Sequence, residues 1–370
     1  MANAHGQNSA AKEIDEAQTA LPKEPKVIRV FAVGDIMIGS TFPKEALPPN
    51  DGIDYFNEVK PLLEGSDILF GNLEGPLTEG GTSAKCGNYQ PGPDVKPCYA
   101  FRSPPRYAKR FKEAGFNALG VANNHSLDFG IKGFENTLAA LDDAGIQAVG
   151  GQRVALFNAS GKRVAVVGFS YSRPTKYSYS MLDIPRAAEI VSALKAEYDL
   201  VIVSFHGGAE GSAAIIVLDA NEEFLGENRG NSVRFARTVI DAGADLVLGH
   251  GPHVPRAIEI YRGKLIAYSL GNFAVYRMFN ISGPSGLGYV LQATLSAETG
   301  DILSFQTLST VLVQSGTLLT DKEGKAEALL SKLSEKFLAG EPDAQERRKT
   351  LANTWNRSTT PVNPVLPGQQ

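Results

Sequence analysis

The chain has 370 residues, with 36 lysines and arginines against 40 aspartates and glutamates, a formal net charge of −4 and a pI of about 5.8. Its 43% hydrophobic and 21% charged residues suit a globular protein with a sizeable core and exclude collagen-like, coiled-coil and wholly disordered chains. The acidic balance offers no basic stripe for a nucleic acid, and one of the longest apolar runs, residues 213–218, covers only six positions, so no membrane-spanning helix is expected.

From the N-terminus, residues 1–25 are rich in Ala, Gln, Glu and Lys, lack apolar periodicity and read as a flexible leader. They hold no apolar signal core, so any export signal is expected to have been removed or never to have been there. One pattern then recurs. A short apolar, β-branched run ends at a Gly or small residue, and a polar cluster follows. Residues 27–33 run into Gly34-Asp35, 67–70 into Gly71-Asn72-Leu73-Glu74, and 118–122 into Asn123-Asn124-His125. Further on, 200–205 run into His206-Gly207-Gly208, and 246–249 into His250-Gly251-Pro252-His253. These read as buried strands. Helices are expected over 106–114, 134–144 and 232–242, each ending in an acidic residue, Ala and Gly (Gly115, Gly145, Gly243), the glycine serving as left-handed terminator. Between the second strand and the first helix lie Cys86 and Cys98, the only two cysteines. They read as one disulfide in an exported protein, the alternative being two free thiols in a reducing compartment.

The later part changes character. Residues 256–261, 264–270, 288–296 and 301–313 read as strands joined by turns at Arg262-Gly263 and Thr299-Gly300, an antiparallel portion of sheet. Asn272 and Phe273 are expected to shape a turn there, and the tyrosine-rich loop over 171–179 reads as an ordinary ordered loop, the alternative being one that stacks on or covers a substrate. A helix over 322–338 closes the body, which shows no strong boundary between Lys26 and Gly340. Residues 341–370 form a C-terminal extension, loosely ordered from about Thr350, with Trp355 available to dock.

Alternating helices and strands predict an α/β fold, and an open α/β sheet collects its ligands at the carboxyl edge of its strands. Of the five histidines, His5 lies in the leader and the other four lie within three of the five clusters. Asp35, Asn72, Glu74, Asn124, His125, His206, His250 and His253 are therefore expected to converge. Carboxylate, amide oxygen and imidazole are ligands of Mn, Fe or Zn. A set this large has room for one or two divalent cations. A pair would share a water as nucleophile, with Glu74 bridging and His125 as general acid. Asp128 and Glu210 can orient His125 and His206. Arg102 and Arg229, with Glu210 in the same pocket, are candidates for meeting an anionic substrate.

Six strings carry a family resemblance. They are Gly34-Asp35-Ile36-Met37-Ile38-Gly39, Gly71-Asn72-Leu73-Glu74 and Ala122-Asn123-Asn124-His125-Ser126-Leu127-Asp128-Phe129-Gly130, then His206-Gly207-Gly208-Ala209-Glu210, Gly249-His250-Gly251-Pro252-His253-Val254 and Tyr268-Ser269-Leu270-Gly271-Asn272-Phe273. In this order they resemble the CapA family of poly-γ-glutamate capsule biosynthesis, related to calcineurin-like metallophosphoesterases, over roughly residues 27–338. The resemblance implies a four-layer α/β/β/α sandwich and metals bound by Asp35, the Asn72–Glu74 turn, Asn124, His206, His250 and His253. It implies work on a capsule or envelope polymer, periplasmic or extracellular, alongside capsule-synthesis partners. The wider superfamily has Asp-x-His in its first motif, where this chain has Met37, and its last motif is His-x-His, where two residues here part His250 from His253. Three functions follow as expectations: a phosphoester hydrolase acting on a phosphorylated substrate, a metal-dependent amide hydrolase or transferase acting on a γ-glutamyl polymer, and a non-enzymatic exported accessory that binds an anionic polymer.

Overall fold

A computed structural model describes residues 26–90, 92, 98–150, 152–172 and 178–356. The leader read at 1–25, the chain beyond 356 and residues 173–177 of the tyrosine-rich loop lie outside the described residues. In the first stretch β1 (Val27–Met37), β2 (Ile68–Leu73), β3 (Ala118–Gly120) and β4 (Gln147–Val149) lie side by side and parallel. The connections carry α1 (Lys60–Leu63), α2 (Tyr107–Glu113) and α3 (Gly130–Asp143). A second sheet starts with the hairpin of β5 (Ala155–Ala159) and β6 (Lys162–Ser170), then β7 (Tyr179–Ser180), α4 (Ile184–Glu197) and β8 (Leu200–His206). An excursion follows as the hairpin of β9 (Glu222–Phe224) and β10 (Glu227–Gly230). After α5 (Ser232–Asp241), strands β11 (Leu246–His250), β12 (Ile258–Tyr261) and β13 (Lys264–Ala267) complete that sheet in the order β12-β13-β11-β8-β6-β5, with β7 on β6. The chain then returns to the first sheet through β14 (Asn272–Val275), β15 (Leu287–Ser296), β16 (Ile302–Val313) and β17 (Thr317–Thr320), giving the order β17-β16-β15-β1-β2-β3-β4 with β14 on β1. Two helices, α6 (Lys325–Leu338) and α7 (Ala344–Thr354), end the described chain.

Side-chain alternation shows how the layers stack. On β1, Ile28, Val30 and Ala32 join Val164, Val166, Ile202, Leu246 and Leu248 of the other sheet in one inner core. Phe31 and Val33, on the opposite face, pack with Tyr107, Phe111, Phe134 and Leu141 of α2 and α3. On β8, Val201, Val203 and Phe205 pack with Val191 of α4 and Val233, Phe235 and Val239 of α5. Central strands buried on both faces read as continuous apolar runs for this reason. The result is the four-layer α/β/β/α sandwich expected from the motif strings. Trp355 docks: its ring stacks on Phe305 at 5.3 Å and its indole N–H donates to Thr307 Oγ1 at 3.1 Å. Cys86 and Cys98 form a disulfide, with Cα atoms 5.9 Å apart.

Three expectations are corrected. The antiparallel hairpins of the later part do not share a sheet. β12 and β13 belong to the second sheet and β15 and β16 to the first, because β13 pairs in parallel with β11 while β15 pairs with β1. Asn272 and Phe273 are not in a turn; they open β14, which runs parallel to the end of β1. The C-terminal extension is helical to Thr354.

Candidate metal centre

The two sheets present their strand ends to each other. In the first, Asp35 is registered against both Asn72 and Asn272. In the second, His206 is registered against His250 on one side and Ser170 on the other. Asp35 can lie so close to β14 because Gly34 precedes it. A Cβ at Gly34 would collide with the Gly271 carbonyl, and the Asp35 N–H donates to that same carbonyl at 2.9 Å. Glu74 follows β2 directly, its N–H bonded to Ile36 O at 2.9 Å.

Asp35, Glu74 and His206 form the candidate centre. One ligand atom from each lies within 4.8 Å of the others, and all three are buried. Both Glu74 carboxylate oxygens and His206 Nε2 are buried with no hydrogen-bond partner, as is Asn124 Oδ1 in the third motif, and Asp35 Oδ2 meets the His253 imidazole. Buried polar groups are normally satisfied, so the unpartnered Glu74 and His206 atoms beside Asp35 point to a ligand set. All are oxygen or imidazole nitrogen, so the donors fit a hard or borderline divalent cation.

His253 and His125 complete the ring of imidazoles. His253 Nδ1 is 3.0 Å from Asp35 Oδ2, and its Nε2 is 3.6 Å from Glu74 Oε1. It adopts the left-handed region with φ of 58°, strained for a non-glycine residue and of the kind held at functional sites. His125 turns Nδ1 to Asp128 Oδ2 at 2.7 Å and leaves Nε2 at 3.9 Å from Glu74 Oε1. The electrostatics are those of crowded buried charges. Burial pushes Asp35 up, but the His253 contact and the field of three histidines outweigh it and hold the group down at about 2. Burial raises Glu74 well above the carboxylate range, against the pull of His253. Burial lowers His206, His250 and His125, whereas the two carboxylates overcome burial at His253 and lift it to about 10.

Other expected site residues have different places. Asn72 spends its amide on neighbours: Nδ2 donates to Asp35 Oδ1 at 2.8 Å and lies 3.3 Å from His206 Nδ1, while Oδ1 accepts from Asn123 Nδ2 at 3.2 Å. His250 has both nitrogens engaged, Nε2 with Val33 O at 3.2 Å and Nδ1 with Ser204 Oγ at 3.5 Å. Arg102 does not face the centre. It donates to Thr41 Oγ1, Thr41 O and Gly81 O and lies over the Phe129 ring. Arg229 is buried beside the pocket, 4.2 Å over the Tyr171 ring that faces His206, and is neutralised by Glu210 at 2.7 Å and Glu227 at 3.0 Å.

Four residues were missed. Asn123 donates to Asn72 Oδ1 and Leu73 O and accepts from the His125 N–H, so it ties the second motif to the third. Asn272 Oδ1 meets His253 Nδ1 at 3.1 Å. Both asparagines stand inside the motif strings, which was the available signal. Phe101 packs 4.2 Å from His125, and Phe279 packs 5.0 Å from Phe101 and 4.8 Å from His253. These two rings wall the pocket, and nothing in the sequence marks them.

A family model described as "Bacterial capsule synthesis protein PGA_cap" matches residues 29–277. The capsule biosynthesis protein CapA of Bacillus anthracis is 30% identical over 286 residues, 71% of this chain and 64% of that protein. The PGA biosynthesis protein CapA of Bacillus subtilis is 29% identical over 264 residues, 67% of this chain and 63% of that protein. The chain thus spans somewhat under two thirds of the length of these relatives. A solved phosphatase from Mycoplasma pneumoniae superposes with a TM-score of 0.48 and 13% identity, over 78% of this chain and 94% of that one.

Proposed function

The chain belongs to the bacterial capsule synthesis protein family, and on that footing we propose that it is a divalent-metal-dependent hydrolase of phosphoester type serving capsule or envelope polymer synthesis outside the cytoplasm. The observation that carries the reading is the set of orphaned oxygen and imidazole atoms around Asp35, Glu74 and His206. Bound there, a divalent cation supplies Lewis acidity to a phosphoryl oxygen and acidifies a water. Asp35, Glu74 and His206 would hold it, with His253 beside them. Asp128 fixes the His125 ring through Nδ1, so Nε2 is the nitrogen turned to the centre and the one that would pass a proton to the leaving group once the ring is protonated. Phe101 packed on that ring keeps water away from it. Arg229 is already paired with two glutamates, so substrate negative charge meets the cation and not the rim.

The test is hydrolysis of a nitrophenyl phosphate by the full chain after loading with Mn, Fe or Zn. Activity that appears with metal and vanishes in His206→Ala supports the proposal. A second reading, cleavage or transfer of an amide in a γ-linked glutamate polymer, is favoured by the name of the Bacillus subtilis relative, a PGA biosynthesis protein. Metal-dependent shortening of that polymer without phosphoester hydrolysis would select it. Polymer binding that survives Asp35→Ala and His206→Ala, with neither reaction, would select a non-enzymatic accessory role among capsule-synthesis partners.

A further inference from the structure

A pair of cations sits about 3.5–4 Å apart and needs two ligand sets joined by a bridging group. Among the described residues one such set is present, Asp35, Glu74 and His206. Asn124 Oδ1 and His253 Nε2 remain unspent, but the other donors that a second set would draw on are used elsewhere. His250 is buried and turns both ring nitrogens to protein partners, Val33 O at 3.2 Å and Ser204 Oγ at 3.5 Å. To bind a cation it would have to abandon one of them. The Asn72 oxygen is taken by Asn123, and its nitrogen by Asp35. Met37 offers only a thioether. The pairing register of β1 shifts between Asp35 and Ile36, and Met37 lies in the outer core facing the helices.

Charge points the same way. Asp128 accepts from His125 and from the Phe101 N–H, and Glu210 is paired with Arg229. Asp35 and Glu74 are thus the two carboxylates left to the centre, and one divalent cation neutralises both. A second would leave two surplus positive charges in a buried site, which is costly without partners.

We infer that the pocket is built for a single divalent cation held by Asp35, Glu74 and His206, and that His250 is a hydrogen-bonded wall of the pocket and not a ligand. The inference rests on the metal-dependent reading above. It also fixes a role: with no second cation on the leaving-group side, proton donation there falls to His125.

The experiment is calorimetric titration of the full chain with Mn(II), together with electron paramagnetic resonance of the loaded protein. One equivalent and the spectrum of an isolated ion are expected, with one equivalent retained in His250→Gln and lost in His206→Ala. Two equivalents in the native chain, or an exchange-coupled spectrum, would overturn the inference while leaving the metal reading standing. Because this rests on the native chain, it holds even if the His250 variant fails to fold. No binding of Mn, Fe or Zn would overturn the metal reading itself and the inference with it.

Discussion

Replacing Asn272 separates positioning from ligation. Its amide is buried and makes three contacts: Oδ1 with His253 Nδ1 at 3.1 Å, and Nδ2 with Ser285 O at 3.0 Å and with His253 O at 3.4 Å. The Oδ1 contact shares the Nδ1 proton with Asp35 Oδ2 and so fixes the ring with Nε2 towards Glu74, while the Nδ2 contacts brace a residue held at positive φ. Asn272→Leu, nearly isosteric, removes all three, leaves Ser285 O and His253 O without their donor and leaves His253 Nδ1 with Asp35 Oδ2 alone. At about 1–3 kcal/mol for each orphaned buried group, the loss of stability should be roughly 2–6 kcal/mol. Freeing an imidazole beside a metal typically weakens metal binding about 10–100-fold. Asn272→Asp keeps an acceptor on Nδ1 but sets an oxygen against Ser285 O, so it should cost stability yet hold Mn(II) affinity within about threefold. Urea unfolding and calorimetric titration read the two effects separately. The reasoning fails if the Leu variant binds Mn(II) as tightly as the native chain, or if Leu and Asp weaken it equally.

Three further outcomes are expected. His125→Ala should slow hydrolysis of an alkyl phosphate by roughly 10²–10⁴-fold and barely touch a nitrophenyl ester, whose leaving group needs no proton; an equal loss on both substrates in steady-state assays would remove His125 from the acid role. Replacing Cys86 and Cys98 with Ser opens a loop with a sequence separation of 12, and chain-entropy arguments put the cost near 3 kcal/mol, so an unchanged denaturation midpoint would count against it. Tyr268 and Tyr289 are fully buried, and burial raises both above the ordinary value of 10.0. The folded chain therefore keeps two protons that the unfolded chain releases, and stability should fall as pH rises past about 10, by roughly 2.7 kcal/mol per pH unit. Urea midpoints that stay level between about pH 9 and pH 11 would contradict this.

Local chemistry was legible in the sequence, and partner choice was not. The five apolar runs ending in polar clusters are strands because their periodicity is a property of a few neighbouring residues. The helix-ending glycines 115, 145 and 243 all take positive φ as the spacing required. By contrast, β12–β13 and β15–β16 look alike along the chain, and only pairing with distant β11 and β1 sends them to different sheets. The hairpin of β5 and β6 went unread although the Ser160-Gly161 turn and the apolar run beyond it were there to see. Within the site, composition identified the ligand types but not the direction of each side chain. His250 closes β11 and His253 follows three residues on, yet one turns to Val33 O and the other to Asp35 and Glu74. Asn72, Asn123 and Asn124 are the same residue type with three different tasks, and only the last leaves a buried oxygen unsatisfied.

The division of ligands between the sheets has a mechanical consequence. Asp35 and Glu74 come from the ends of β1 and β2 in the first sheet, His206 from the end of β8 in the second. Neither sheet alone can form the centre, so its geometry depends on how the two pack across the inner core of Val30, Val166, Ile202 and Leu248. A cation held there would bolt the sheets together at their ligand-bearing edge. By mass action it would stabilise the folded chain by about 2.7 kcal/mol at one hundred times its dissociation constant. His253 lies beside both carboxylates, its Nδ1 3.0 Å from Asp35 Oδ2 and its Nε2 3.6 Å from Glu74 Oε1. That is a reason for a histidine at a strained position where asparagine or glycine would sit more easily: either would relieve the backbone, and neither would carry positive charge between Asp35 and Glu74.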